Sequence, residues 1–334
     1  MQYAHAACGC QLLRGQGTIH PMILFNGHAA AQWREETLRA RVGTRISASG
    51  AAVRIAAVLF DEDAGSRLYT RLKREAAERV GIEYSVRTFP MRADTKEVRA
   101  ALAELNADAT LTGIIIQKPT RAVWQQVVGE TTLTFPQWWR QLVSEIAVEK
   151  DVDGLHPESM QAIKTGVWRE RGMVLPATCQ AVLDILLQAV LSREHTDRYT
   201  HNDSENMAFA LKDHKVLIIG KSDLLGNPLY YELKNSGVNA ELVTRRQFRE
   251  RVESGNGLRD AAVVISATGQ HGLITGELLA DDSIVIDVGE PRGDIDRISV
   301  LPKVTFLTPV PGGVGPLTVQ CLLENAVELA RSER

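Results

Sequence analysis

Lys215-Val-Leu-Ile-Ile-Gly220-Lys221-Ser222-Asp-Leu-Leu-Gly226-Asn-Pro228 joins an unbroken apolar run to two glycines and a proline. Such a run ending at glycine reads as a strand buried on both faces, and the second glycine and the proline read as a turn that opens a helix. Backbone N–H groups in a turn of this kind can meet phosphate at a helix N-terminus. The spacing departs from G-x-G-x-x-G, and a plain tight turn has the same composition.

Working outward, the next strand, Ala240 to Thr244, runs into Arg245-Arg246. Dinucleotide binders that take NAD commonly place an acid here for the ribose hydroxyls. Two arginines instead suit the 2′-phosphate of NADP, and Lys221 can join them. Apolar runs recur at Ala261–Ser266, Ser283–Val288 and Val304–Leu307. Upstream, residues 29–44 read as an amphipathic helix, Val53–Phe60 as a buried strand, Ser66–Val80 as a helix, Glu83–Phe89 as a strand and Thr95–Asn106 as a helix, before the apolar strand Thr112–Gln117. This alternation argues for parallel sheets covered on both faces. The expected fold class is α/β with two domains, a parallel-sheet catalytic domain and a Rossmann-like NADP-binding domain, with the active site in the cleft between them.

Composition narrows the function class. The chain has 334 residues, 44% of them hydrophobic and 24% charged, as in ordinary globular proteins. A net charge of -3 offers no basic field for nucleic acid. No apolar run approaches the roughly 18 residues of a membrane span. Cys8, Cys10, Cys179 and Cys321 lack both a metal spacing and the density of a disulfide framework, so a reducing, cytoplasmic compartment and no metal are expected. Cys8-Gly9-Cys10 with His5 is too weak a ligand set to change that. Residues 1–21 lack the h-region of an export signal and read as a flexible extension, with Met22 as an alternative start.

Three further stretches carry chemistry. On the helix after Phe60, Ser66, Tyr69 and Lys73 fall within an arc of about 60°, apart from an apolar face of Leu68, Leu72, Ala76 and Val80, so this polar stripe is expected to look away from the core. A phenol and an amine one turn apart can stack on a ligand and move a proton, although a snorkelling lysine on an exposed face fits the same spacing. Gln117 closes its strand at the edge where open α/β sheets place ligands. Lys150-Asp151-Val152-Asp153-Gly154-Leu155-His156-Pro157 sets two carboxylates two residues apart, which on extended backbone places both on one side. Such a pair can bind an amine-rich ligand edge or cap the next helix. Near the C-terminus, Thr308-Pro-Val-Pro-Gly-Gly-Val-Gly-Pro-Leu-Thr318 crowds three glycines between prolines, which suits close approach to a flat ligand or a cis prolyl bond.

Together these motifs resemble the bifunctional methylenetetrahydrofolate dehydrogenase/methenyltetrahydrofolate cyclohydrolase family. The resemblance runs from about Met22 to Arg331. It rests on Ser66-x-x-Tyr69-x-x-x-Lys73, Gly113-Ile-Ile-Ile-Gln117-x-Pro119, Lys150-Asp-Val-Asp-Gly154, Gly220-x-Ser222-x-x-x-Gly226-x-Pro228 and Pro309-Val-Pro-Gly-Gly-Val-Gly-Pro316, in the family's order. It implies Lys73 as the catalytic lysine, Tyr69 stacked on the folate, Gln117 orienting Lys73 and Asp153 holding the pterin. Ser66, Pro311, Gly312 and Gly313 join the substrate set. Gly220, Lys221, Ser222, Gly226, Pro228, Arg245, Arg246, Thr268, Gly269 and Gly289 form the cofactor set. The implied chemistry is NADP-dependent oxidation of 5,10-methylenetetrahydrofolate to the methenyl form, then hydrolysis to 10-formyltetrahydrofolate. A cytoplasmic homodimer acting on tetrahydrofolate derivatives, in the one-carbon supply of purine biosynthesis, completes the expectation.

The chain departs from the family at Lys118 (usually Leu), at Lys221 (usually Arg) and at Pro176-Ala-Thr-Cys179 (usually Pro-Cys-Thr-Pro). The span 120–148 is longer and carries Phe135, Trp138 and Trp139, which read as a local hydrophobic patch. Residues 193–210 add a polar stretch. The expected domains are 22–176 with 308–334 for folate and 177–307 for NADP. A different nicotinamide-dependent dehydrogenase on this architecture leaves Tyr69, Lys73, Gln117 and Asp153 unexplained, and a non-catalytic binder is suggested only by the altered motif flanks.

Overall fold

The computed structural model describes residues 10–13, 22–193 and 211–331. The chain runs through β1 (Cys10–Leu13), β2 (Met22–Phe25), α1 (Gly27–Ser49), β3 (Arg54–Phe60), α2 (Ala64–Val80), β4 (Glu83–Phe89), α3 (Thr95–Ala107) and β5 (Gly113–Ile116). Helices α4 (Arg121–Val128), α5 (Phe135–Val143), α6 (Pro157–Thr165) and α7 (Ala177–Arg193) follow. Then come β6 (Val216–Ile219), α8 (Gly226–Asn235), β7 (Ala240–Val243), α9 (Arg245–Glu253), β8 (Val263–Ser266), β9 (Ser283–Asp287), α10 (Arg297–Val300), β10 (Val304–Leu307) and α11 (Val314–Arg331).

Two compact units result. One comprises Arg34–Ile163, Val167–Ala177 and the described part of Val319–Arg334. Its sheet is three parallel strands in the order β4-β3-β5. β3 carries seven residues, of which six are buried, as a central strand covered on both faces requires. Because β4 and β5 lie on opposite sides of β3, the C-terminal ends of β3 and β5 form a topological switch point, where open α/β sheets place their ligands. Lys150 is buried, and its ammonium donates to the Leu105, Asn106 and Asp108 carbonyls at 3.2, 2.7 and 2.7 Å. It thus satisfies the orphan carbonyls at the C-terminus of α3 and fixes the Asp151–Gly154 turn beside the sheet. Asn325 of α11 donates to the Val152 and Leu175 carbonyls, both at 2.9 Å, and so holds the C-terminal helix on this unit.

The other unit comprises the described residues of Met1–Trp33, Lys164–Gly166 and Thr178–Thr318. Its seven-stranded sheet has the order β1-β2-β10-β9-β8-β6-β7, parallel except for the β1–β2 pair. Met22, Leu217, Ile219, Val264, Val285 and Leu307 belong to one buried cluster. Residues 22–33 and 308–318, expected with the folate domain, belong to this unit. The cause is strand pairing: β2 is parallel to β10, and the Gly27 N–H donates to the Gly312 carbonyl at 2.9 Å. Within the expected flexible extension, Cys10–Leu13 is a strand paired antiparallel with β2. Cys8, His5 and residues 194–210 lie outside the described residues.

One sequence expectation is reversed in part. The face of α2 turned to the interior is Ser66, Thr70, Lys73, Ala76, Ala77 and Val80, so Ala76 and Val80 are buried as expected, while Leu68 and Leu72 are 43% and 40% exposed and Ser66 and Lys73 lie inside. Polar residues occupy the inner face because Ser66 and Lys73 find hydrogen-bond partners there, which removes the desolvation cost that periodicity counts against them.

Candidate active site

α2 starts immediately beyond β3 and stops at Gly81, whose φ of 84° ends the helix while its N–H reaches back to Ala77 and Glu78. This places Lys73, 9% exposed, beside the strand end of β5, where its ammonium donates to Gln117 Oε1 at 3.0 Å. The Gln117 backbone is in turn anchored by its N–H to the Val58 carbonyl at 2.9 Å. Tyr69, one turn before Lys73, is half-buried on the same helix.

The two acids of the Asp-x-Asp stretch have separate fates. The backbone there is a turn closed by Gly154 at φ 65°, not an extended segment. Asp151 is buried and accepts from the Leu155 and His156 N–H groups and the Ser159 hydroxyl at 3.1, 2.8 and 2.8 Å, so it closes the loop into α6. Asp153 has no such cage. Burial pushes its carboxyl up, and the Lys73 ammonium pulls the other way. Ser66, expected to touch substrate, uses its hydroxyl internally, lying 3.3 Å from both Asp63 Oδ2 and the Lys118 carbonyl.

Sequence reasoning missed Tyr84. Its hydroxyl is buried with no hydrogen-bond partner, and burial together with the Asp153 charge pushes the phenol up. Tyr84 lies in an ordinary alternating strand, so no sequence signal marks it. The aromatic insertion packs on itself and on the end of β3: the Trp138 ring lies tilted against Trp124, centroids 5.8 Å apart, and against Phe60 at 5.1 Å, and the Lys118 ammonium sits 5.1 Å over the Trp139 ring.

In the other unit the switch point lies between β6 and β8. Gly220 leaves β6 at φ 108°, and a Cβ on it would lie 2.7 Å from the Ala267 carbonyl. A Cβ on Gly226, the first residue of α8, would lie 1.8 Å from the Gly220 carbonyl. The Lys221–Pro228 turn is therefore built around two absent side chains, and it closes on the start of α8 through the Asn227 N–H, which donates to the Ser222 carbonyl at 3.0 Å. Lys221 is exposed and Ser222 half-buried. Arg245 and Arg246 occupy the first turn of α9 behind a Thr244–Gln247 capping box, both exposed, with Arg246 3.2 Å from Glu250. Two cations at the positive end of a helix dipole are locally unfavourable, so helix stability does not account for them.

Two buried acids missed by sequence reasoning hold the remaining loops. Asp294 accepts from the Ser266 hydroxyl and the Thr268 N–H, both at 2.6 Å, and from the Gln270 N–H at 2.8 Å. Asp287 accepts from the Gly289, Asp294 and Ile295 N–H groups, and burial pushes it up to about 6. Gly289 is compelled by Asp294, whose Oδ1 would lie 2.2 Å from a Cβ, and Gly269 sits at φ 68°. An acid closing an apolar strand, as in Ser283-Ile-Val-Ile-Asp287, is the signal that could have found Asp287. In the glycine-rich loop, Val310–Pro311 is cis and Gly312 has φ 95°. A Cβ on Gly27 would lie 1.8 Å from the Gly313 carbonyl, so the loop packs directly on the start of α1. No helix among the described residues is long and apolar enough to cross a membrane.

Residues 25–153 match the catalytic domain of tetrahydrofolate dehydrogenase/cyclohydrolase, and residues 203–334 match the NAD(P)-binding domain of the same enzyme. The chain is 30% identical to the bifunctional protein FolD of Xanthomonas axonopodis over 314 residues, spanning 92% of this chain and 91% of that one. It is 29% identical to FolD of an Exiguobacterium species over 315 residues, 92% and 98% of the two chains. The crystal structure of FolD from Campylobacter jejuni superposes with a TM-score of 0.75 at 26% identity, covering 93% of this chain and 99% of that one. With relatives matched along nearly their whole length and with both domain types present in order, this chain belongs to the tetrahydrofolate dehydrogenase/cyclohydrolase family.

Proposed function

We propose that this protein oxidises 5,10-methylenetetrahydrofolate to 5,10-methenyltetrahydrofolate with NADP and hydrolyses the product to 10-formyltetrahydrofolate. The observation that carries the reading is the buried amine of Lys73, held 3.0 Å from the Gln117 amide oxygen within the field of Asp153. An amine so placed can pass a proton between the attacking water and the departing ring nitrogen. Gln117 accepts one of its N–H groups and so aims the others. Asp153 supplies the carboxylate for the amino edge of the pterin, and Tyr69 the aromatic surface for the ring. NADP, when bound, supplies the hydride acceptor. Gly220, Ser222 and Gly226 with the N-terminus of α8 suit its pyrophosphate, and Lys221, Arg245 and Arg246 suit its 2′-phosphate. Pro311, Gly312, Gly313, Thr268, Gly269 and Gly289 complete the binding surfaces in this reading.

The test is to mix the protein with methylenetetrahydrofolate and NADP and follow methenyl absorbance. Its rise and enzyme-accelerated decay are expected. A rise without accelerated decay leaves only the dehydrogenase, and no rise overturns the reading.

Cofactor choice is tested separately. Arg245→Ala combined with Arg246→Ala removes the charges paired with a 2′-phosphate and is expected to weaken NADP by about 100-fold or more while changing NAD by less than about threefold. Titration of both cofactors by fluorescence decides it, since equal losses would reject the pairing.

A further inference from the structure

We infer that Asp63 is a positioning residue for the Lys73–Gln117 pair, acting through a brace between α2 and the segment that follows β5. The inference rests on the proton-handling role proposed for Lys73. Asp63 is 4% exposed, and its carboxylate accepts from two backbone N–H groups, while the single Ser66 hydroxyl proton is shared between it and the Lys118 carbonyl. Oδ1 accepts from the Gly65 N–H at 3.0 Å, an ordinary helix N-cap. Oδ2 does something a cap does not need, accepting from the Thr120 N–H at 2.6 Å and lying 3.3 Å from the Ser66 hydroxyl. The Ser66 hydroxyl also lies 3.3 Å from the Lys118 carbonyl. Asp63 and Ser66 thus hold the backbone on the C-terminal side of Gln117 against the first turn of the helix that bears Lys73. The N-terminal side of Gln117 is held by the sheet through Val58.

Without the brace, the Lys73–Gln117 distance would depend on the apolar packing of α2, the Val58 contact and one exchangeable side-chain hydrogen bond. With it, the helix and the strand exit share a buried, charge-assisted contact, and the amine inherits their rigidity.

The Thr120 N–H can be removed without altering Asp63. Thr120 has φ -68° and ψ 143°, angles that proline adopts, and its hydroxyl separately caps α4 by accepting from the Val123 N–H. Thr120→Ala removes the α4 cap, and Thr120→Pro removes both the cap and the N–H and sets the ring Cδ where that hydrogen lay, so Asp63 must give way and the difference between the two variants reports the broken brace. Asp63→Asn reaches the same point from the other side, keeping an acceptor for Gly65 while turning an NH2 group toward Thr120 and Ser66.

Relative to Thr120→Ala, the Thr120→Pro protein is expected to open methenyltetrahydrofolate at least about tenfold more slowly in kcat, with KM and the rate of hydride transfer within about threefold. Asp63→Asn is expected to match it against the unaltered protein. In a Lys73→Met background neither change should slow ring opening further, because both act through that amine. A purely structural role for Asp63 predicts instead equal losses of both activities and a further loss in the Lys73→Met background. Either result, or an unchanged ring-opening rate in both variants, would overturn the brace. A Lys73→Met protein that opens the ring normally would overturn the lysine's role itself, which separates the two failures.

Discussion

Lys73→Met is expected to stop the protein at methenyltetrahydrofolate. Methionine keeps an unbranched stem of similar reach, so the inner face of α2 stays filled and the ammonium alone is deleted. Loss of a general acid or base costs roughly 100-fold or more, and ring opening should fall by at least that factor. Hydride transfer needs alignment of the two rings and no proton from this side chain, so it should fall much less. Methenyltetrahydrofolate then accumulates, and single-turnover absorbance with the enzyme-free hydrolysis subtracted measures it. The substitution also has an electrostatic signature. The Lys73 ammonium is the influence that lowers Asp153 against the upward push of burial, so its removal moves that carboxyl further up. Folate binding that needs ionised Asp153 should accordingly be lost at a higher pH in the variant than in the unaltered protein. Ring opening at the unaltered rate would return Lys73 to the role of a buried structural amine.

Gly226→Ala is expected to abolish cofactor binding at assay concentrations while leaving ring opening intact. The added Cβ would meet the Gly220 carbonyl oxygen at 1.8 Å, the Gly220 carbonyl carbon at 2.8 Å and the Lys221 Cα at 3.1 Å. All three are backbone atoms, so no rotamer change relieves the contact. Gly220 is itself confined between a φ of 108° and the Ala267 carbonyl, and the turn cannot retreat toward β8. It must shift by about an ångström or more away from the helix, and displacements of that size in a binding site cost about 100-fold. Titration with NADPH measures the loss, and methenyltetrahydrofolate hydrolysis without cofactor checks that the remaining chemistry survives. Gly43→Ala is the control: it lies within α1 with nothing within 4 Å of its would-be Cβ, so alanine should be neutral or slightly stabilising there. A dissociation constant for Gly226→Ala within about threefold of the unaltered protein would show that the turn does not need this glycine.

Much of this was legible in the residues alone. Apolar runs such as Val216–Ile219 and Gly113–Ile116, each bounded by turn formers, identify buried parallel strands, because alternation disappears when both faces are covered. The separation of Lys73 from Gln117 by 44 positions hid nothing, since both fall where helix and strand meet the ligand edge of a sheet. Gly220 and Gly226 also stand out, as the residues of a turn with no room for a Cβ, and the Arg245–Arg246 pair stands out because a helix N-terminus does not call for cations.

What only the tertiary structure decided concerns partners rather than propensities. Periodicity assigns Leu68 and Leu72 to the inside of α2 and Ser66 and Lys73 to the outside, and the fold does the reverse because Asp63, Lys118 and Gln117 satisfy the polar side chains inside. The spacing of Asp151 and Asp153 makes them look equivalent, yet three donors of the Leu155–Ser159 segment surround one and none of them reaches the other. β2 joins the seven-stranded sheet through a parallel pair with β10, some 280 residues later, a choice set by long-range edge pairing that no local pattern encodes. The same holds for Asp63. Its first oxygen caps α2, and its second acquires a purpose only when folding brings Thr120 within 2.6 Å.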